Sequence, residues 1–112
     1  VNDIANRLIA SKFRKTTVNF DPDVIICTHS FPAAIISSLK QKRRIGCPLV
    51  TVITDFNIHS SYINDNTDHY VIPHEDLTYV MEDLGVPKEK VLPLGIPIKK
   101  EFGDLKIKNP YL

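Results

Sequence analysis

The sequence predicts an α/β fold, a Rossmann-like parallel sheet with helices on both faces. One observation behind this is that short continuous apolar runs alternate along the chain with segments whose apolar residues recur at helical spacing. Such alternation favours parallel strands joined by right-handed crossovers. A second observation is that the 112 residues are 43% hydrophobic and 24% charged. This is the composition of a folded domain and the length of one domain at most.

Three helices are predicted. The first covers residues 2–15, with an apolar face and a polar face for solvent. The second begins near Pro32, which suits a first helical turn, and Gly46 is expected to stop it. The third has acidic residues in its first turn, and Gly85 can supply a left-handed residue after its last turn. Its apolar face follows the i, i+3, i+4, i+7 pattern at Leu77, Val80, Met81 and Leu84.

Four strands are predicted, at residues 24–27, 48–54, 69–72 and 91–94. The first of these runs has the unbroken apolar character of a strand buried on both faces. In the last run Pro93 has no backbone donor, which predicts a short strand or one at a sheet edge. No periodicity remains after Lys99, so residues 99–112 are expected to be a linker or a tail.

Composition and charge exclude several kinds of function. A formal net charge of +1 argues against nucleic acid as a partner. Two cysteines are too few for a disulfide framework and favour a reducing compartment. No apolar run approaches the ~20 residues that cross a bilayer, and no signal peptide is recognised at the N-terminus. No metal-binding spacing and no glycine-rich nucleotide motif occurs, so no metal or cofactor is expected.

The basic residues include two clusters, while no Lys or Arg occurs from Ile45 to Pro87. The clusters are Lys12, Arg14 and Lys15, and then Lys40, Lys42, Arg43 and Arg44. Two interpretations are open. They are solvated helix ends, where the helix dipole favours cations, or they form a patch that faces anionic lipid, with each near-surface cation contributing about 1 kcal/mol.

Polar residues follow each predicted strand. The four strand ends are Thr28-His29-Ser30, Thr54-Asp55-Phe56, Pro73-His74-Glu75 and Gly95-Ile96-Pro97. In open α/β sheets, ligands bind beyond the carboxyl ends of the strands, so these groups are expected to share one rim. An imidazole oriented by a carboxylate can handle a hydroxyl proton near neutral pH, which makes His29 and Asp55 the pair of interest.

Each of these residues also has a purely structural interpretation. His29 can begin the second helix with Ser30 as its N-cap, and Asp55 can cap a turn or accept backbone N–H groups. His59 lies in a polar loop and can be a surface residue, and His74 can be the start of the third helix.

Longer segments form an ordered series over residues 21–102. They are Asp21-Pro22-Asp23-Val24-Ile25-Ile26, Thr28-His29-Ser30-Phe31-Pro32, Val52-Ile53-Thr54-Asp55-Phe56 with His59, Asp68-His69-Tyr70-Val71, and Gly95-Ile96-Pro97-Ile98 before Phe102. Together they resemble the monogalactosyldiacylglycerol synthase family, which includes the bacterial processive diacylglycerol glucosyltransferases. More loosely, they are similar to the related peptidoglycan N-acetylglucosaminyltransferases.

The resemblance implies a two-domain GT-B glycosyltransferase. Its N-terminal domain would bind the diacylglycerol acceptor and touch an anionic membrane surface, and its C-terminal domain would bind the UDP-sugar donor. The reaction would transfer a glucosyl or galactosyl group to the 3-hydroxyl of diacylglycerol, in glycolipid synthesis, without a metal. Such an enzyme would be cytoplasmic and peripheral on the inner face of the cell membrane. Residues 1–98 would be the second half of the N-terminal domain.

The resemblance also implies roles for individual residues. Asp55 and His29 are the catalytic candidates, helping to position the acceptor hydroxyl or a base. The candidates for substrate binding are Ser30, Phe31, Phe56, His59, Gly95, Ile96 and Pro97.

The chain departs from the family's pattern in what it lacks. The family's glycine-rich loop, with the histidine that looks like the catalytic base, is absent, as is the donor domain. This segment is therefore expected to be a piece of a longer protein and inactive alone, with the strand at 24–27 left as an unpaired edge that promotes self-association. A non-catalytic α/β module that binds a nucleotide or a partner is the alternative, and another sugar-nucleotide enzyme of this architecture is a third possibility.

Overall fold

The computed structural model describes residues 2–103. They form four helices: α1 (Asn2–Phe20), α2 (Ser30–Gln41), α3 (Thr78–Asp83) and α4 (Lys100–Gly103). The strands are β1 (Ile25–Cys27), β2 (Leu49–Val52), β3 (His69–Val71) and β4 (Val91–Leu92). Short 3-10 turns occupy Ser60–Tyr62, Glu75–Leu77 and Lys88–Lys90. The strands form one parallel sheet in the order β1-β2-β3-β4, so the predicted α/β class is confirmed.

Two helix ends differ from the sequence prediction. Helix α1 continues past residue 15 to Phe20 and ends where Asp21 adopts a left-handed φ of 52° before Pro22. Helix α2 ends at Gln41, so the expectation that Gly46 stops it is wrong. The chain turns away from the helix axis at Arg43, which has a left-handed φ of 56°. The N–H groups of Arg43 and of the residue after it both donate to backbone carbonyls of α2.

The third helix was predicted more closely. A 3-10 turn carrying the acidic residues leads into α3, and Gly85 follows its end at a left-handed φ of 88°. The Gly85 N–H donates to Glu82 O at 2.9 Å and the Val86 N–H to Met81 O at 3.0 Å, which is the Schellman arrangement. Strand β4 is short and lies at the sheet edge, as Pro93 predicted.

The core of the described residues lies on one face of the sheet. Strand register places Cys27, Thr51, Tyr70 and Val91 side by side on that face. Helix α2 covers it at one end, in a cluster of Cys27, Ala33, Ile36, Leu39, Ile45 and Leu49. Met81 of α3 covers it at the other end, in a cluster with Ile53, Ile58, Tyr62, Tyr70, Ile72, Val86 and Val91. Helix α1 packs on α2, with Phe13 against the first cluster.

The opposite face of the sheet is open at β1. Ile26 points to that face and is 60% exposed, so the prediction of a strand buried on both faces is wrong. Two features explain this exposure. Among residues 2–103, β1 is an edge strand with a neighbour on one side only, and the helical residues of the two core clusters pack on the face of the sheet opposite to Ile26. The unpaired edge expected for this strand is present in the described sheet.

Candidate functional site

The predicted site residues lie along the carboxyl edge of the sheet. Strands β1 and β2 are adjacent and parallel, so His29, just beyond β1, and Asp55, just beyond β2, emerge at the same edge. The segment after β4 is tied to this edge because the Gly95 N–H donates to Ile72 O at 3.1 Å, at the end of β3. The fold therefore brings these three strand ends to one rim, as the topology predicted.

His29 is the N-cap of α2. Its backbone is extended, and the Phe31 N–H donates to its Nδ1 at 3.2 Å. The cap is therefore His29 itself and not Ser30, which is the first residue of the helix. Because Nδ1 accepts a hydrogen bond, the neutral ring carries its proton on Nε2 and presents that N–H to solvent as a donor. His29 is exposed, so the donor is accessible at the rim.

The same local arrangement recurs at two other histidines. His59 caps the 3-10 turn Ser60–Tyr62, and the Ser61 N–H donates to its Nδ1 at 3.2 Å. His74 caps the turn before α3, and the Asp76 N–H donates to its Nδ1 at 3.1 Å. Both side chains are exposed, so His59 is a surface residue and His74 stands at the start of the third helix, as the structural interpretation of each expected. Since His74 is not among the predicted site residues, it offers a matched comparison for His29.

Asp55 is held by a tyrosine. The Tyr62 hydroxyl donates to Asp55 Oδ2 at 3.1 Å, from a ring that is buried in the core. Burial raises the pKa of the Tyr62 hydroxyl, and the hydrogen bond to Asp55 and the charge of Asp55 raise it further. The carboxylate is exposed. The sequence suggested a turn cap or backbone donors for Asp55, and the phenol of Tyr62 was missed, because nothing in the local pattern marks that tyrosine.

Two aromatic rings flank these polar groups. Phe31 follows His29 in the first turn of α2, and Phe56 follows Asp55; both are exposed. Ser30, the first residue of α2, is half-buried. Large apolar side chains beside a carboxylate and an imidazole suit a ligand that has both a polar and an apolar part.

Gly95 shapes the other end of the rim. Its φ is 91°, in the left-handed region that favours glycine. A Cβ there would lie 3.9 Å from Pro73 O, an ordinary contact, so the requirement comes from the backbone and not from crowding. Ile96 is half-buried and Pro97 is exposed in the segment that follows.

A groove between α1 and α2 was not predicted. It has a volume of about 410 Å³ and a floor of small and apolar side chains. Its lining residues are Asn6, Arg7, Ala10, Phe31, Ala34, Ile35, Ser38 and Lys42. Phe31 therefore belongs to the rim and to this groove. The signal available in the sequence was the run of small residues on the two facing helices.

The two basic clusters have different surroundings. Lys12, Arg14 and Lys15 are exposed in the middle of α1, so the helix-end interpretation is wrong for them because the helix runs on to Phe20. In the second cluster, Lys40 is 14% exposed and forms an ion pair with Asp68. The charge of Lys40 is therefore neutralised by Asp68 within the fold. The remaining members of the cluster, Lys42, Arg43 and Arg44, are exposed.

Two features are absent from residues 2–103. In the segment 2–103, no three His, Cys, Asp or Glu side chains are grouped so that they could hold a metal ion. None of the helices in that segment combines the length and the apolar character needed to cross a bilayer.

Comparison with known proteins gives a consistent set of relatives. Residues 2–98 match the family described as Monogalactosyldiacylglycerol (MGDG) synthase. A protein of Bacillus thuringiensis (strain Al Hakam), named Processive diacylglycerol beta-glucosyltransferase, is 39% identical over 89 residues, 80% of this chain and 22% of the relative. A protein of the same name from Bacillus cereus (strain AH187) is 38% identical over 88 residues, 79% of this chain and 22% of the relative. The chain thus spans about a fifth of the length of the curated relatives it matches.

Proposed function

This chain belongs to the monogalactosyldiacylglycerol synthase family, and from that premise we propose that it is part of an enzyme that moves a hexose from a UDP-sugar to the 3-hydroxyl of diacylglycerol. The observation that carries the proposal is the rim: an exposed carboxylate and an exposed imidazole N–H at the carboxyl edge of a parallel sheet. Similarity to two diacylglycerol glucosyltransferases supports the acceptor class.

In the proposed mechanism the rim orients the acceptor hydroxyl. The hydroxyl donates its hydrogen bond to the Asp55 carboxylate, and its oxygen accepts one from His29 Nε2–H. Two directional contacts of this kind hold the oxygen for attack, and orientation of a reactant is a large part of many rate enhancements. The bond from the sugar C1 to the UDP oxygen breaks as the bond from C1 to the acceptor oxygen forms. The acceptor hydroxyl has one proton, and this proton passes along the hydrogen bond to the Asp55 carboxylate, since His29 donates from Nε2 and has no free site there to accept it.

The remaining candidates contact the rest of the acceptor and the donor. Phe31 and Phe56 pack against the glyceride portion of the lipid, and Ser30 and His59 contact its polar part. The segment Gly95, Ile96 and Pro97 faces the side of the domain where the UDP-sugar is bound by the rest of the protein. These assignments are supported by position at one rim and by the two exposed phenylalanines.

The chain also fits part of a larger domain. We assign residues 1–98 to the second half of an acceptor domain and residues 99–112 to a linker, and expect the segment alone to be inactive. Two features support this: the apolar Ile26 is exposed at a one-sided edge strand, and the matched segment makes up only 22% of a relative. A strand beside β1 and helices on the open face would bury these groups.

The proposed enzyme works at an anionic membrane on the cytoplasmic side of the cell, where its acceptor is dissolved. The support is the four exposed cations of α1, namely Arg7, Lys12, Arg14 and Lys15. Arg7 also lines the groove between α1 and α2, while Lys12, Arg14 and Lys15 are exposed and no layer of residues 2–103 covers them.

The test is transfer by the full-length protein that contains this segment, in detergent–diacylglycerol mixed micelles with labelled UDP-glucose or UDP-galactose. We expect labelled glycolipid with one of the donors. Asp55→Asn and His29→Asn should each lower kcat at least about tenfold, since each removes one orienting contact. The asparagine at position 29 keeps an N-cap acceptor.

The matched control is His74→Asn, which makes the same change at an equivalent cap just beyond β3. It should leave kcat within about twofold, because the proposed mechanism gives His74 no contact with the acceptor. Failure to transfer from either donor, in a protein that is folded and bound to micelles, contradicts the proposal. Nucleotide or partner binding by such an inactive protein would favour the non-catalytic module instead.

A further inference from the structure

We propose that Tyr62 is a positioning residue for the transfer reaction: it holds Oδ2 of Asp55 and leaves Oδ1 to receive the acceptor hydroxyl. The inference rests on the proposed function, because it concerns the carboxylate that the proposal places at the acceptor. None of the motifs at the strand ends includes this tyrosine. It is a role for a residue that lies beneath the rim and does not itself touch substrate.

The geometry gives Tyr62 the character of a rigid support. Its side chain is 8% exposed and belongs to the core cluster with Ile58 and Tyr70, so the ring is fixed by packing. Its hydroxyl donates to Asp55 Oδ2 at 3.1 Å, so a buried ring supplies a hydrogen bond to an exposed carboxylate. An exposed aspartate has several rotamers, and a donor anchored in the core selects one of them.

The backbone around Tyr62 is fixed as well. His59 caps the turn that contains Tyr62, and the Tyr62 N–H donates to His59 O at 3.1 Å. Further along the same loop, the Asn64 N–H donates to the Tyr70 hydroxyl at 3.0 Å, and that hydroxyl donates to Asn64 O at 2.9 Å. The loop is thus tied down on both sides of Tyr62, and His59 acts on the site through this turn.

The hydrogen bond persists over the working pH range. Burial, the hydrogen bond to Asp55 and the charge of Asp55 all raise the pKa of the Tyr62 hydroxyl, so the phenol keeps its proton at neutral pH. A phenol that donates to a carboxylate makes a charge-assisted hydrogen bond, which is stronger than one between neutral groups. Loss of this contact should therefore be visible in the rate.

The test compares Tyr62→Phe with Tyr70→Phe in the full-length protein. Each removes one buried tyrosine hydroxyl, one from the loop and one from β3, but only Tyr62 contacts Asp55. We expect Tyr62→Phe to lower kcat about 10- to 100-fold with the KM for the UDP-sugar unchanged. Tyr70→Phe should lower the thermal stability and lower kcat less than Tyr62→Phe does, because it acts on the site only through the loop backbone at Asn64. In an Asp55→Asn background, Tyr62→Phe should add less than about twofold, because the two residues act as a unit.

Several outcomes overturn the inference. Wild-type kcat in Tyr62→Phe refutes it while leaving the proposed function intact. The inference is also refuted if Tyr62→Phe lowers kcat as much in the Asp55→Asn background as in the wild type, because Tyr62 would then act independently of Asp55. An inactive wild-type protein removes the proposed function, and this inference with it.

A second measurement covers the case in which Tyr62→Phe does not fold. Difluorotyrosine at position 62 keeps the ring and the hydroxyl but ionises at lower pH, so kcat should begin to fall at a lower pH than in the wild type. An unchanged alkaline limb of the pH profile would refute the positioning role.

Discussion

Replacement of Asp68 by alanine should cost this chain about 2–3 kcal/mol of unfolding free energy. Oδ2 of Asp68 accepts from the Leu49 N–H at 2.8 Å and forms the ion pair with Lys40. It therefore links α2, the start of β2 and the start of β3. Losing the backbone hydrogen bond costs about 1 kcal/mol. The ion pair adds about 1 kcal/mol after discounting for solvent, because the aspartate side chain is 44% exposed, and the 14% exposed Lys40 is left unpaired.

Two matched variants separate these contributions. Asp68→Asn keeps an acceptor for the Leu49 N–H and should lose about half as much stability as Asp68→Ala. Asp65→Ala removes an exposed acid from the same loop and should change stability by less than about 0.5 kcal/mol. The measurement is urea unfolding of the 112-residue chain, followed by circular dichroism at low protein concentration. A cost for Asp68→Ala no larger than that of Asp65→Ala would refute the reasoning.

The same interaction predicts a pH dependence. Burial opposes ionisation of Asp68, but the hydrogen bonds from Lys40 and Leu49 and the charges of Lys40 and Lys90 outweigh it and lower the pKa of Asp68. A lowered pKa in the folded state means that the stabilisation is complete above the unfolded-state value of about 3.9. It is lost as the pH falls through the folded-state pKa. The stability gap between wild type and Asp68→Asn should therefore close below about pH 4, and a constant gap down to pH 2 would contradict this.

Three further predictions follow from the backbone, the open edge and the charges. Gly85→Ala should lower the free energy of unfolding by about 1 kcal/mol in the same urea assay, because alanine is strained at its φ of 88°. Gly46 has open space around it and no left-handed φ, so Gly46→Ala should be neutral or slightly stabilising. Ile26→Lys should reduce self-association of the isolated chain in analytical ultracentrifugation, because a charge on an edge strand opposes pairing. Alanine in place of Lys12, Arg14 and Lys15 should weaken sedimentation with anionic vesicles at low salt.

Each of these three has an outcome that opposes it. Equal costs at the two glycines would mean that φ at position 85 is not the cause. A wild-type chain that stays monomeric at high concentration would show that the β1 edge is not adhesive. Full vesicle binding by the α1 variant, with binding lost instead in the Lys42, Arg43 and Arg44 variant, would assign the membrane contact to the second cluster.

The helices and strands were predictable from patterns between residues close in the chain. The i, i+3, i+4, i+7 spacing and Gly85 located α3 and its end, and Pro93 indicated how short β4 is. The ends of α1 and α2 were placed less well. No glycine or proline marks the left-handed residue Arg43, and the packing of α1 on α2 extends a helix whose periodicity fades after residue 15.

The rim of the candidate site was also predictable, because parallel topology alone sends every strand's carboxyl end to one edge. On that basis His29, Asp55 and Gly95 were expected together, and the fold brings their segments together. The partners of these residues were not predictable. Tyr62 looked like an ordinary loop residue, and Lys40 looked like one more member of a basic cluster.

Periodicity, turn residues and the order of elements along the chain are properties of the sequence itself, and they determined the α/β class and the position of the rim. The motif segments carried the family resemblance. Side-chain partnerships depend on distances that exist only after the chain has folded. The Tyr62–Asp55 hydrogen bond and the Lys40–Asp68 ion pair join groups that no local pattern relates. The open face at Ile26 likewise depends on which layers pack where. Tertiary packing therefore decided how the carboxylate is held, which cations are free and which surface is left uncovered.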